Sequence, residues 1–210
     1  MGLGSQLLIY VLYGTVIRHY LIKNGNIVEN SSNNRYMKHL ITSFHPSITS
    51  IEGQRIISRK ATRSIVLDGE DILLLFTERY HDYSLPGGGL DDGEDLVEGL
   101  CRELKEETGA GNISDIEPFG IYEEYRPWYK NNAEILHMIS YCFTCKVGRE
   151  LGMTSLEDYE ISNGMTPMWV NIYKAIEHNE QTIANSSKKG MSIERETYLL
   201  KQVASLIAKC

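Results

Sequence analysis

The chain has 210 residues, 42% hydrophobic and 23% charged, an ordinary globular balance that excludes wholesale disorder and fibrous repeats. Its longest apolar stretch, residues 7–16, is about half of the roughly 20 residues needed to cross a bilayer, and it lacks the basic flank and cleavage site of a secretory signal. The net charge of −7 is uneven: residues 1–63 carry a formal +6 and residues 64–210 a formal −13. So acidic a body is poorly matched to a long nucleic acid, whose affinity comes mainly from phosphate neutralisation. The basic first third serves either to recruit an anionic substrate or simply to complement the acidic body. Four cysteines (Cys101, Cys142, Cys145, Cys210) are too few for a disulfide framework, so a cytoplasmic protein is expected.

In chain order, residues 7–20 have strand composition, and Asn24-Gly25 offers a tight turn before a further strand. Residues 30–34 read as a polar loop, and residues 1–57 as an N-terminal extension. From residue 58 the pattern sharpens. Residues 61–67 and 72–77 form a hairpin about Asp68-Gly69-Glu70-Asp71, and Leu85-Pro86-Gly87-Gly88-Gly89 leads into a helix ending at Thr108-Gly109. Strands follow at 119–125 and 135–147, then an acidic loop over 150–163 and a short strand at 168–170. Helices over 171–178 and 192–209 close the chain, the latter with Ser192 at its N-cap position and Leu199, Val203, Leu206 and Ile207 as its apolar face. Interleaved strands and helices predict an α/β fold.

The helix before Gly109 concentrates the chemistry. Leu96, Val97, Leu100, Cys101 and Leu104 recur at helical spacing as a buried stripe, and Glu103, Glu106 and Glu107 share an arc of roughly 100° beside it. Like charges at these spacings disfavour a helix by about 0.2–0.5 kcal/mol per pair, and the C-terminal dipole is also unfavourable to them. A bound divalent cation explains what stability does not. Gly99 lies on the same arc and costs about 1 kcal/mol relative to alanine; it marks either a close approach or a tolerant surface. Arg102 is spaced to pair with Glu98 or Glu106 and so hold carboxylates in place.

Other patterns fail. Gly93 is followed by Glu94-Asp95 where a P-loop needs Lys-Ser/Thr, and Asp92 stands where a dinucleotide fingerprint needs glycine. Cys142 and Cys145 are spaced like half a zinc knuckle, but in a strand they point to opposite faces, as core residues do.

Gly88, Glu94 and the run Arg102-Glu103-Leu104-Lys105-Glu106-Glu107-Thr108-Gly109-Ala110 together resemble the Nudix box of MutT-like hydrolases. Every fixed position is met; Ala110 stands where the family usually has a larger aliphatic residue. The order of elements extends the resemblance to about residues 58–180. It implies a Nudix α/β/α sandwich around a mixed sheet, with a domain over 58–185 and a C-terminal helix over 186–210 that packs on the domain or on a dimer partner.

The implied activity is hydrolysis of a nucleoside diphosphate linked to another group, using Mg²⁺ or Mn²⁺ bound by Glu103, Glu106 and Glu107. The resemblance adds the Gly87 carbonyl as a ligand, and Glu94 and Arg102 as supports by ion pairing. Gly88, Gly89 and Arg79 are expected at the substrate, Arg79 being alternatively a surface ion pair. Glu157 and Glu160 are candidates for a general base or extra ligand, against a solvated loop. Tyr80, Tyr122, Tyr125 and Trp128 are base-stacking candidates or core. Substrates of the ADP-ribose, nucleoside triphosphate and dinucleotide kinds all remain open, as does a rival reading as a non-catalytic nucleotide sensor.

Overall fold

A computed structural model of the chain describes residues 8–13, 16–23, 26–29, 37–130 and 132–208. The chain divides into two units, residues 1–36 and 37–210. In the first, β1 (Leu8–Tyr13), β2 (Val16–Lys23) and β3 (Asn26–Glu29) form an antiparallel meander, with Lys23 opposite Asn26. Asn24, Gly25, residues 30–34 and Cys210 lie outside the described residues.

The second unit contains β4 (His39–Phe44), β5 (Ile56–Asp68), β6 (Asp71–Thr77), β7 (Asp82–Ser84), α1 (Leu96–Thr108), β8 (Ser114–Pro127), β9 (Ile135–Lys146), α2 (Asp158–Ser162), β10 (Met165–Asn171), α3 (Ile172–Asn185) and α4 (Ile193–Ile207). Its sheet runs β10-β6-β5-β9-β8-β4, with β7 also paired to β6. The β5–β9 and β4–β8 pairs are parallel and the others antiparallel, so the sheet is mixed, as expected. Strand alternation sorts neighbours to opposite faces. Ile65, Ile72, Leu74 and Cys142 pack with Ile172, Leu199 and Val203 of α3 and α4, while Val66, Leu73 and Cys145 pack with Leu104 of α1. The two cysteines therefore face opposite ways, and burial pushes both thiols up to about 12.

One irregularity positions everything that follows. β5 and β6 pair only at the Leu67–Ile72 and Asp68–Asp71 positions of their hairpin, then part. Residues 82–90 fill the wedge: β7 pairs with β6, and the glycine loop runs along β5. There the Ser64 N–H donates to Pro86 O (2.7 Å), Thr62 N–H to Gly88 O (3.0 Å), and Leu90 N–H to Lys60 O (3.1 Å).

Several elements differ from expectation. The acidic loop contains α2, α3 extends to Asn185 from a side-chain cap at Asn171, and β4 and β7 carry no strong sequence pattern. Ser192 sits at the N-cap of α4 without making a side-chain capping bond. In α4 Leu200 is fully buried and Leu206 is half exposed, because the helix lays its Leu199–Leu200–Val203 face on the sheet and its last turn runs past it. In α1 the buried face is Gly99, Leu100, Leu104, Glu107 and Thr108. Val97 is exposed and Leu96 and Cys101 are half-buried, so of the predicted stripe Leu100 and Leu104 are the fully buried members. The buried face thus takes in Glu107, while Glu103 is half-buried and Glu106 stays 44% exposed. Among the described residues no helix is long and apolar enough to cross a membrane.

Candidate active site

α1 begins where Asp95 accepts a hydrogen bond from Val97 N–H (2.8 Å) and ends at Gly109, whose φ of 69° lets its N–H close on Lys105 O (2.8 Å). Between these caps Arg102 gathers the acidic residues. Its Nε and Nη2 donate to the two oxygens of Glu94 (2.8 and 2.9 Å), its Nη1 to Glu103 (2.9 Å) and Glu106 (3.2 Å), and its Nη2 also to Gly89 O (3.2 Å). Of the two spaced partners Glu106 is the one engaged, with Glu94 and Glu103 added. The fork on Glu94 holds that carboxyl down at about 2.

The glycines serve close approach. Gly87 has a φ of 136°, and a Cβ there would strike the Thr62 carbonyl oxygen. At Gly88 a Cβ would come within 2.5 Å of the Glu103 carboxyl, so the missing side chain is the space that carboxyl fills. Leu90 and Glu94 lie against Gly99, which settles its role as a seat for the loop.

Glu107 is 4% exposed, and its carboxylate accepts the Gly87 N–H at 2.5 Å. Burial, with Glu103 and Glu160 nearby, pushes its carboxyl up to about 8 against the lowering pull of the Gly87 N–H and Arg63. Burial likewise raises Glu103. Glu160, also 4% exposed, accepts from the Tyr159 hydroxyl (2.8 Å) and the Glu157 N–H (2.8 Å). Burial and that contact push the Tyr159 phenol up. The α2 segment is tied to the end of α1 by Ser155 N–H to Glu106 O (2.7 Å) and Gly152 N–H to Gly109 O (2.9 Å).

A cavity of about 320 Å³ results, lined by Gly88, Gly89, Arg102, Glu103, Glu106, Glu107, Glu157 and Glu160, with Arg59, Leu90, Asp91, Ser155 and Tyr159. A neighbouring hollow of about 600 Å³ shares Arg59, Leu90 and Asp91 and adds Lys60 and Tyr141. Most of the expected residues thus meet here. Arg79 does not: its guanidinium lies over Tyr80 and donates to Asn163 (3.1 Å), outside this lining. Gly87 stands beside the cavity with its carbonyl oxygen accepting from Arg63 Nη1 (2.5 Å). Of the aromatic candidates, Tyr122 is core, Tyr125 is stacked between Phe44 and His137, and Trp128 packs near Leu136. Sequence reasoning missed Arg59, Arg63, Tyr141 and Tyr159. Arg63 alone left a trace, as a charge inside the apolar run 61–67.

As the side chains stand, no three described His, Cys, Asp or Glu residues converge closely enough to hold an ion. Arg102 draws Glu103 and Glu106 onto itself. By chemistry and charge the set still fits a hard divalent cation: its acidic donors are carboxylate oxygens only, two of them buried with no full cationic partner.

A family model of the NUDIX domain matches residues 58–189. An RNA pyrophosphohydrolase of Bartonella quintana is 35% identical over 78 residues, 37% of this chain and 37% of that protein. Cleavage and polyadenylation specificity factor subunit 5 of Dictyostelium discoideum is 26% identical over 156 residues, 69% of this chain and 77% of that protein. A solved NUDIX hydrolase from Nitrosomonas europaea aligns with a TM-score of 0.48 at 16% identity, covering 70% of this chain and 90% of that one. The chain therefore spans just over a third of the Bartonella relative, and the family match spans more than half of the chain. The chain belongs to the Nudix family.

Proposed function

We propose that this protein is a metal-dependent pyrophosphohydrolase that cleaves the phosphoanhydride bond of a nucleotide-derived small molecule in the cytoplasm. The observation that carries the reading is the shared cavity of Glu103, Glu106, Glu107 and Glu160 beside the Gly88–Gly89 backbone. Nudix hydrolases generally use divalent ions, and Glu103, Glu106 and Glu107 are the residues that would hold Mg²⁺ or Mn²⁺ here. A bound ion would neutralise phosphate oxygens and lower the pKa of a coordinated water.

The chain's own groups have definable tasks. Arg102 fixes the rotamers of Glu94, Glu103 and Glu106. The Gly87 N–H orients Glu107, the bare Gly88 makes room for the Glu103 carboxyl, and the absence of a side chain at Gly89 leaves that backbone open to a phosphate. Glu160, held by the Tyr159 hydroxyl, and Glu157 beside it are the groups proposed to take a proton or add a ligand. An intact box, with every acidic position filled, favours the enzyme over the sensor.

The test is a product-resolved hydrolysis screen with Mg²⁺ and Mn²⁺. The panel holds ADP-ribose, nucleoside triphosphates, dinucleoside polyphosphates and, given the Bartonella relative's name, a short 5′-triphosphorylated RNA. Turnover of one class, lost in Glu106→Gln, is expected. A folded protein that binds a nucleotide and turns over none of the panel overturns the reading in favour of the sensor.

A further inference from the structure

A second charged cluster lies on the other side of the glycine loop. Gly87 joins the two, its N–H held by Glu107 and its carbonyl by Arg63. Strand register places Arg59 and Arg63 of β5 on one sheet face with Met138 and Ser140 of β9 and Glu124 and Arg126 of β8. Trp128 joins that face through its packing against Ala61, Leu136 and Met138. From α4, Arg195 and Glu196 reach into the same cluster.

The ion pairs here do not balance. Arg195, 4% exposed, donates to Glu124 (2.5 Å) and, through Nε and Nη2, to Glu196 (3.0 and 2.8 Å). Burial opposes its charge, yet the two carboxylates hold it protonated above its ordinary range. Glu196 also accepts the Leu85 N–H (3.0 Å). Arg63 and Arg126 are left at 3.6 Å from Glu196 and Glu124 respectively. Arg59, beside Gly89, has no ion pair among the described residues. Three guanidiniums thus share two carboxylates, both already engaged by Arg195, and Arg59 adds a fourth cation nearby. Burial, and repulsion from Arg195, Arg63 and Arg59, pull Arg126 below its usual range despite Glu124.

The unmet hydrogen bonds agree with that surplus. Arg63 Nε, Arg126 Nε, Trp128 Nε1 and Ser140 Oγ are all buried and find no acceptor among the described residues. A buried donor without an acceptor costs about 1–3 kcal/mol, and more when charged, so several on one face imply a missing partner. Three of these groups are N–H donors and the Ser140 hydroxyl can donate as well, so even with Asp82 close to Glu196 the partner they fit is an oxygen-rich acceptor.

We propose that Arg59, Arg63 and Arg126, with the Trp128 indole N–H and the Ser140 hydroxyl, form a subsite for a phosphoryl group beyond those held at the carboxylates. The inference rests on the pyrophosphohydrolase reading in taking that group as part of the substrate. It then selects substrates with three or more phosphoryl groups in a row over diphosphate-linked sugars. Arg59 lines the carboxylate cavity and lies near enough to Arg126 to repel its charge, so it stands between the two. Fixed guanidiniums suit this task, because their forks match phosphate geometry.

Binding without turnover tests the subsite separately from the hydrolase reading. With EDTA present, the full chain is titrated calorimetrically with inorganic tripolyphosphate and with inorganic phosphate. Tripolyphosphate is expected to bind the wild type, and Arg126→Gln to weaken it about tenfold, the scale of one charge-assisted hydrogen bond. Trp128→Phe, which keeps an aromatic ring and removes the indole N–H, is expected to weaken it by a smaller factor; it supplies the answer if Arg126→Gln does not fold. Unchanged affinity in folded variants overturns the proposal. So does inorganic phosphate binding as tightly as tripolyphosphate, which would make the ligand a free anion rather than a substrate phosphate. If the hydrolase reading holds, the kcat/KM ratio of ATP to ADP-ribose falls about tenfold in Arg126→Gln, mostly through KM.

Discussion

The two charged clusters use the same residue types in opposite proportions. At α1 one arginine serves three glutamates, Glu94, Glu103 and Glu106, with Glu107 and Glu160 beyond its reach. Behind the glycine loop two glutamates serve three arginines, with Arg59 unpaired beside them. One side is left with surplus negative charge in an open cavity and the other with surplus donors in a buried layer. The shortfall in each is a complementary statement about a ligand: a cation on the first side, an anion on the second. Partial neutralisation keeps each cluster folded without its ligand while leaving something for the ligand to do.

The comparison is broken most severely from the buried side. Arg195→Met removes the one cation that both Glu124 and Glu196 share, and is expected to cost about 3–5 kcal/mol in urea unfolding, as loss of one partner of a buried pair does. On the acidic side, Glu106→Gln is expected to lower kcat by at least the roughly 100-fold upper bound for residues that merely support a metal site, without loss of stability. Steady-state kinetics with circular dichroism checks both parts. Arg102→Lys keeps the charge but loses the fork on Glu94; an activity loss of about 10–100-fold is expected, partly recovered at high metal concentration.

A fourth effect is a pH dependence. Burial and Glu196 push the Asp82 carboxyl up to about 6 from its ordinary 3.8. The folded state therefore holds this proton more tightly than the unfolded chain does. Its contribution to stability is full below pH 4 and is lost as pH rises through 6. The Tm of metal-free protein should fall across that window, and less steeply in Asp82→Asn. A further fall continuing to about pH 8 belongs to Glu107. The smallest effect is chemical: Cys142 and Cys145 should resist thiol reagents in the native state, because their thiolates are suppressed by burial.

What the sequence made legible follows from how local the signals are. The α1 carboxylates, the turn at Gly69-Glu70 and the cap at Gly109 are written within a few residues of each other, and all appear where the pattern put them. Glu160 was visible only as half of a choice with Glu157, because which of two carboxylates turns inward depends on α2, a helix of five residues with no periodicity to read. The arginine cluster was illegible for a different reason. Arg63, Glu124, Arg126 and Arg195 come from three separate elements, and no spacing along the chain relates them. The β5–β9–β8 register brings the first three to one face, and the packing of α4 brings Arg195 onto it. The exposure of Val97 and the burial of Glu107 were missed because periodicity identifies an apolar stripe but not how far along the helix the sheet extends.

The contact between Gly109 and Gly152 bears on how such a gene can change. A Cβ at Gly109 would strike the backbone of Gly152, and the Gly152 N–H bonds to the Gly109 carbonyl, so two distant stretches of chain cross without room for a side chain. Residues 152–160 are thereby a fixed span from the end of α1 to Glu160. The segment at 128–134, which joins β8 to β9 away from that crossing, carries no such requirement. Natural variants of this chain should therefore gain and lose residues at 129–133 and keep their length unchanged between 152 and 160.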